Sequence, residues 1–123
     1  MKKILIVDDH ADIRKLIRMT LEFEDYDIYE AETGEAALLI AHAVQPELVL
    51  LDVMMPGGMD GLEVCRRLKA DPVLGDVRVM LLSARGQSHD REAGLQAGAE
   101  AYLVKPFSPL QLIDTIATQW ACV

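Results

Sequence analysis

The chain has 123 residues, with 12 Lys+Arg against 20 Asp+Glu for a formal net charge of −8, and 51% hydrophobic but only 5% aromatic residues. That length fits one domain with an aliphatic core, and the apolar content excludes disorder, which goes with apolar-poor chains. The acidic balance argues against direct nucleic-acid binding, which depends on basic surface displacing counterions from phosphates.

Met1-Lys2-Lys3 followed by Ile4-Leu5-Ile6-Val7 has the look of a signal peptide, but the apolar run stops at Asp8-Asp9. It is too short for a hydrophobic signal core, and no stretch elsewhere approaches a membrane span, so a soluble protein is expected. Cys65 and Cys122 lie far apart without a CxxC spacing. They read as reduced thiols of a cytoplasmic protein rather than as a disulfide framework.

Apolar runs alternate with helical patterns along the chain. Residues 4–7 are β-branched or Leu and predict a strand buried on both faces. Asp9 is placed to cap a helix reaching about Phe23, with Ile13, Leu16, Ile17 and Leu21 on one side. Residues 26–31 alternate and predict a second, more exposed strand. Thr33 opens a small-residue helix to about Val44, punctuated by Pro46.

Leu48-Val49-Leu50-Leu51 predicts a third, central strand, followed by the turn-rich Pro56-Gly57-Gly58-Met59-Asp60-Gly61. Asp60 and Glu63 have capping-box spacing for a third helix, whose last turn carries Arg66, Arg67 and Lys69. Strands are expected at 77–82 and 101–104, with a helix at about 88–97 between them. Ser108-Pro109-Leu110-Gln111 is a helix start with N-cap, Pro at N1 and Gln at N3. Leu112, Ile113, Ile116, Ala117 and Trp120 would share one face of that last helix. Strict alternation with buried strands implies an α/β, doubly wound parallel sheet covered by helices on both sides.

In such a sheet, function gathers where strand carboxyl ends meet the following loops. Here the ends carry Asp8-Asp9, Asp52, Ser83 and Lys105. Carboxylates at ~4 Å and an effective dielectric of ~20 repel by about 4 kcal/mol per pair. Either one stays protonated or a cation sits among them. An all-oxygen set favours a hard ion, Mg²⁺ above all, with room for a phosphate oxygen. Lys105 adds positive charge and Ser83 a donor, so the set suits a phosphoryl group with a carboxylate as nucleophile. Taken singly, each residue is an ordinary turn, cap or strand end. Their joint placement at matching strand ends argues otherwise.

The ordered set Ile4-Leu5-Ile6-Val7-Asp8-Asp9, Leu48-Val49-Leu50-Leu51-Asp52-Val53-Met54-Met55-Pro56, Met59-Asp60-Gly61, Leu81-Leu82-Ser83-Ala84 and Ala97-Gly98-Ala99-Glu100-Ala101-Tyr102-Leu103-Val104-Lys105-Pro106-Phe107 resembles the receiver domain of two-component response regulators. The resemblance runs from Lys3 to about Trp120. It implies a single receiver domain, 1–123, with a flavodoxin-like five-stranded sheet of order 2-1-3-4-5 and five helices. It implies a signalling switch that catalyses only its own phosphorylation and dephosphorylation, not an enzyme acting on other substrates. Asp52 matches the phosphoacceptor, charged from a phosphohistidine of a sensor histidine kinase or a histidine phosphotransfer protein. Asp8, Asp9, Asp52 and the backbone carbonyl of Met54 match the Mg²⁺ ligands, and Lys105 the phosphoryl-pairing lysine. Ser83 matches the switch hydroxyl and Tyr102 the aromatic that moves with it. A downstream protein target would read the face of the fourth helix, fifth strand and fifth helix. The Lys105-Pro106 bond is expected to be cis, as in the family.

Gly57-Gly58 makes the turn one residue longer than the family pattern, and Met54 and Arg85 occupy positions that tune phosphoryl lifetime in the family. His10 reads as a loop residue beside the site, with a metal role as the lesser alternative, and His42 and His89 as solvent-facing. Cys65 reads as a small core residue of the third helix. Arg14, Lys15 and Arg18 read equally as a solvated face or as the border of a phosphodonor-docking surface. A haloacid-dehalogenase-type phosphatase would need Asp-x-Asp after the first strand, which Asp8-Asp9-His10 does not supply. A flavin carrier would need a Ser/Thr/Gly-rich phosphate loop there. A degenerate receiver that only docks a partner is the remaining alternative. No output domain is encoded in these residues, which leaves a stand-alone receiver and an excised one equally open.

Overall fold

Mainly apolar runs at 4–7, 48–51 and 77–82 and mixed segments at 26–31 and 101–105, each too short to be a core helix, form strands that helices cover from both sides. The computed structural model describes residues 2–55, 58–74, 76–84 and 88–121, the side chains of 88–90 and 121 excepted. The order is β1 (Lys2–Val7), α1 (Ala11–Leu21), β2 (Tyr26–Ala31), α2 (Gly34–Val44), β3 (Leu48–Asp52), α3 (Gly61–Ala70), β4 (Arg78–Ala84), α4 (Ser88–Gln96), β5 (Ala101–Lys105) and α5 (Pro109–Ala121). All pairings are parallel and the sheet order is β2-β1-β3-β4-β5, the expected doubly wound arrangement. β3 is buried throughout, whereas β2, at the sheet edge, is half-buried until Ala31.

Side-chain alternation divides the core into two. Leu5, Val7, Val49, Leu51, Val79 and Leu81 face α2, α3 and the end of α4. Ile4, Ile6, Leu48, Leu50, Met80 and Leu82 face α1 and α5, where Ile17, Leu21, Leu112 and Ile116 meet them. A one-residue slip of any central strand would exchange these sets, so register is set by burial on both faces.

Among the helix starts of α1, α2, α3 and α5, the last three follow their capping chemistry. Thr33 Oγ1 accepts from the Ala36 amide at 3.1 Å, and Asp60 Oδ1 from the Glu63 amide at 2.9 Å. Glu63 completes no box, because its carboxylate turns to Arg66 and Arg67. At α5 the box is reciprocal: Ser108 N donates to Gln111 Oε1 at 2.8 Å, and Gln111 N to Ser108 Oγ at 3.1 Å. The exception is α1. Asp9 does not cap it; His10 holds the N-cap position with no side-chain bond, and the helix ends at Leu21. Asp9 places its carboxylate in the acidic cluster described below, where it cannot reach the α1 amides. Phe23 thus lies beyond the helix and 93% exposed. Leu16 and Ala117 are likewise exposed rather than in the core, being at the edges of their helices' apolar stripes.

Two long-range contacts fix Trp120, near the end of α5, against the starts of β1 and β2. Trp120 Nε1 donates to Tyr26 Oη at 2.8 Å, with Lys2 Nζ 4.6 Å from the indole centroid. Cys65 is buried, and burial pushes its thiol up to about 11, which keeps it an unreactive core side chain; Cys122 lies outside the described residues. His42 is exposed, as expected, but pairs with Asp71 at 2.8 Å.

Leu50→Ala removes a fully buried side chain between β3's neighbours, and about 2–5 kcal/mol of stability should go with it. Phe23→Ala should stay within about 0.5 kcal/mol. Urea unfolding of the two variants checks the contrast.

Candidate functional site

The parallel register brings four strand ends to one edge. Asp52 pairs across to Leu82, Ser83 to Val104, and Ala84 to Lys105, while Asp8 N donates to the Ala31 carbonyl just past β1. Strands that end in the same layer must present their next residues side by side, and here those residues are charged.

Asp8 is fully buried, and Asp52 is 3% exposed. Lys105 Nζ lies 2.8 Å from Asp8 Oδ2 and 3.4 Å from Asp52 Oδ1. Asp8, Asp9, His10 and Asp52 each offer a ligand atom, all within 4.8 Å of one another. Three carboxylates against Lys105 leave two negative charges unbalanced, apart from what His10 contributes. Asp8 Oδ1 accepts from the His10 amide at 2.9 Å and lies 3.0 Å from its Nδ1. That bond, with the nearby Asp9 charge, raises the imidazole above its usual range. The sequence reading set His10 beside the site, and the structure puts its ring on Asp8.

Burial, and then the charge of Asp8, push Asp52 up to about 6, against the opposing pull of Lys105. Ionised Asp52 is therefore costly as the cluster stands. Asp9 Oδ1 is buried with no hydrogen bond among the described residues, and His10 Nδ1 lies 3.3 Å from it. An orphaned carboxylate oxygen, a two-charge excess and oxygen donors together fit a hard divalent cation such as Mg²⁺.

Ser83 is fully buried at the end of β4, and Tyr102 on β5 is half-buried against the core beneath α3 and α4. The Met54 amide is a distant 3.4 Å from Asp52 Oδ1, and its side chain is 67% exposed. The Lys105-Pro106 peptide is cis, as expected. Arg85, Pro56 and Gly57 lie outside the described residues.

Two features of the site escaped the sequence reading. A Cβ on Gly61 would come 2.1 Å from the Asp52 carbonyl oxygen and 2.8 Å from Val53 Cα, and Gly61 N donates to the Val53 carbonyl at 2.9 Å. The start of α3 is thus pressed onto the backbone of the central aspartate, which only glycine permits. Arg14 is not part of a solvated face. It is buried, and its Nη1 donates to the Asp8 carbonyl at 2.6 Å while Glu30 and Glu32 flank the guanidinium. Glu30 is shared with Arg18 at 2.8 Å. Burial alone would raise Glu30, but its bonds to Arg18 and Arg14 hold it below the usual carboxylate range. The visible signal was a mid-helix Arg one turn past the acidic pair, opposite the alternating Glu30 and Glu32.

Residues 4–117 match the response regulator receiver domain family. The chain belongs to that family. Its relatives include the transcriptional regulatory protein ResD of Bacillus subtilis, 46% identical over 90% of this chain and 45% of that protein. The phosphate regulon transcriptional regulatory protein PhoB of Pseudomonas aeruginosa is 43% identical over 91% of this chain and 48% of its own length. The receiver domain thus spans about half the length of these relatives. Among solved structures, the chemotaxis response regulator CheY4 of Vibrio cholerae superposes with a TM-score of 0.89 at 29% identity, covering 97% of this chain and 98% of that one. The Francisella response regulator 1452 receiver domain superposes at 0.87 and 28% identity, covering 98% of both chains. No helix among the described residues is long and apolar enough to cross a membrane.

A carboxyl whose folded pKa exceeds its unfolded value binds protons more tightly when folded. The stability that Asp52 contributes is therefore present at low pH and lost as pH rises from about 4 to about 6. At about 1.4 kcal/mol per tenfold change, its ionisation costs the metal-free fold about 3 kcal/mol. Asp52→Asn should be stabilised by up to about that amount at pH 8 in EDTA and little changed near pH 4, as urea titrations would record. Gly61→Ala should cost at least about 1–3 kcal/mol through overpacking against the Asp52 backbone. Denaturation midpoints check that cost.

Proposed function

We propose that this receiver domain is a phosphorylation-dependent switch of a two-component system, with Asp52 as phosphoacceptor and Mg²⁺ as cofactor. The observation that carries the reading is a buried carboxylate at the end of the central strand, with Lys105 Nζ 3.4 Å away and an acidic pair beside it.

An Asp52 carboxylate oxygen attacks the phosphorus of a phosphohistidine. The O–P bond forms as the P–N bond breaks, and the imidazole leaves, completing its valence with a proton from solvent. Lys105, already held between Asp8 and Asp52, pairs with the oxygens of the arriving group and needs no reorganisation to do so. Asp8, Asp9, Asp52 and the Met54 carbonyl would hold the metal, which when bound offsets carboxylate repulsion and the charge of the transferring group. Met54, exposed two residues past Asp52, and Arg85 would tune how long the phosphoryl group survives.

The donor is a sensor histidine kinase or a histidine phosphotransfer protein. Its docking is supported by an apolar groove of about 320 Å³ lined by Ile13, Leu16, Ala84, Pro106 and Phe107, with Lys105 at its wall. One side chain therefore belongs to both the groove and the acidic site. Met19 and Phe23, exposed farther along α1 and beyond its end, extend the apolar surface.

Phosphorylation adds about −1.5 to −2 charge at Asp52. Ser83 and Lys105 bond it, and because both lie in the β4–β5 register, their movement is transmitted to Tyr102 and to the face of α4, β5 and α5. Leu95, Val104 and Leu110 are exposed apolar residues on those elements, suited to a downstream protein target. The net charge of −8 suits protein partners rather than direct nucleic-acid contact, and the domain acts in the cytoplasm. Its catalysis is confined to its own phosphorylation and dephosphorylation, and the domain occupies residues 1–123.

Intact mass after incubation with Mg²⁺ and acetyl phosphate tests the reading. Wild type should gain one phosphoryl group, EDTA should prevent it, and Asp52→Asn should gain none. No gain by folded, Mg²⁺-binding wild type would instead support a docking-only module.

A further inference from the structure

The peptide joining Asp8 to Asp9 is held at its carbonyl, and the peptide before it at its amide. The Asp8 amide donates to the Ala31 carbonyl at 3.2 Å, and the Asp8 carbonyl accepts from Arg14 Nη1 at 2.6 Å. Arg14 reaches that carbonyl from inside α1, with its side chain 11% exposed. Glu30 meets its Nε at 3.0 Å and Glu32 its Nη2 at 3.4 Å, both from the end of β2. One planar guanidinium therefore ties together three segments: the β1–α1 loop, α1 and β2.

A peptide has one soft rotation on each side, so fixing its carbonyl direction fixes where the two flanking side chains leave the backbone. With the Asp8 carbonyl turned to Arg14, the Asp8 and Asp9 carboxylates both reach the cluster that includes Asp52. Three carboxylates repel, and rotation of this peptide is a backbone route by which Asp9 would swing into solvent. The Arg14 bond opposes that rotation. Lysine cannot replace it, because a single ammonium lacks the fork that serves a carbonyl and two carboxylates at once.

We propose that Arg14 is a positioning residue for the metal-binding carboxylate pair, acting through the Asp8 carbonyl and held in its pose by Glu30 and Glu32. This rests on the reading of Asp8, Asp9 and Asp52 as a Mg²⁺ site. It touches neither the metal nor the phosphoryl group.

The test is calorimetric Mg²⁺ titration of wild type, Arg14→Met, Arg14→Lys and Ile17→Val, with urea unfolding of each in EDTA. Ile17 is a fully buried α1 residue of the neighbouring core, so its truncation lowers stability without touching the clamp. Both Arg14 variants should bind Mg²⁺ about tenfold or more weakly, as removal of a group that orients metal ligands does. Ile17→Val should keep wild-type affinity despite lost stability. Should Arg14→Met fail to fold, Arg14→Lys decides, because it retains the charge and most of the buried stem. Wild-type affinity in a folded Arg14 variant overturns the inference alone, as does a loss in Ile17→Val equal to that in Arg14→Lys. Absence of Mg²⁺ binding by wild type overturns both the inference and the metal site on which it rests.

Discussion

Like charges held together in a dry place are the constraint around which this protein is organised. Asp8 and Asp52 are buried, and among the described residues Asp9 has a buried oxygen without a hydrogen bond and Lys105 is the one permanent positive charge on these carboxylates. Left to itself, such a cluster would open or take up protons, and burial beside Asp8, which pushes Asp52 up to about 6, favours the second course. The arrangement persists because each carboxylate is anchored by backbone. Asp52 closes a strand buried along its whole length, and Asp8 follows another whose last four residues are fully buried. Repulsion of a few kcal/mol is set against two core strands that cannot be withdrawn separately.

The supporting shell works by restricting backbone rather than by touching the reacting atoms. Gly61 lets the start of α3 close onto the carbonyl of Asp52, and Arg14 holds the carbonyl of Asp8. One uses the absence of a side chain, the other a planar guanidinium that bonds several partners at once. Both leave the carboxylates few directions in which to relax. That is the condition for a site that binds a cation or a phosphoryl group without first reorganising.

The same edge gives the domain a route outward. β4 and β5 are in register from Met80 with Ala101 to Ala84 with Lys105, so Ser83 and Lys105 belong to one paired ribbon whose far face carries exposed Val104. A charge placed at Asp52 acts on groups that cannot move without their strands. The apolar groove beside Lys105 lies on the α1 and α5 side of the sheet. On the proposed function a phosphodonor would dock at this groove and a target would read the α4, β5 and α5 face, with Lys105 common to the groove and β5.

Local chemistry made much of this protein legible in its sequence. Runs such as Ile4-Leu5-Ile6-Val7 declare doubly buried strands, and Thr33, Asp60 and Ser108 declare helix starts, because the deciding contacts span three or four residues. The polar groups at strand ends, Asp8-Asp9, Asp52, Ser83 and Lys105, were legible for a related reason: parallel strands of similar length must end together. Asp9 was misread as a helix cap because its other use, facing Asp8 and Asp52, involves a partner more than forty residues away. Arg14 on the Asp8 carbonyl, His10 on the Asp8 carboxylate and the pressed contact of Gly61 were decided only by tertiary structure. Each depends on how closely one backbone approaches another, and distance between segments is set by packing of the whole core, which no local window of sequence contains.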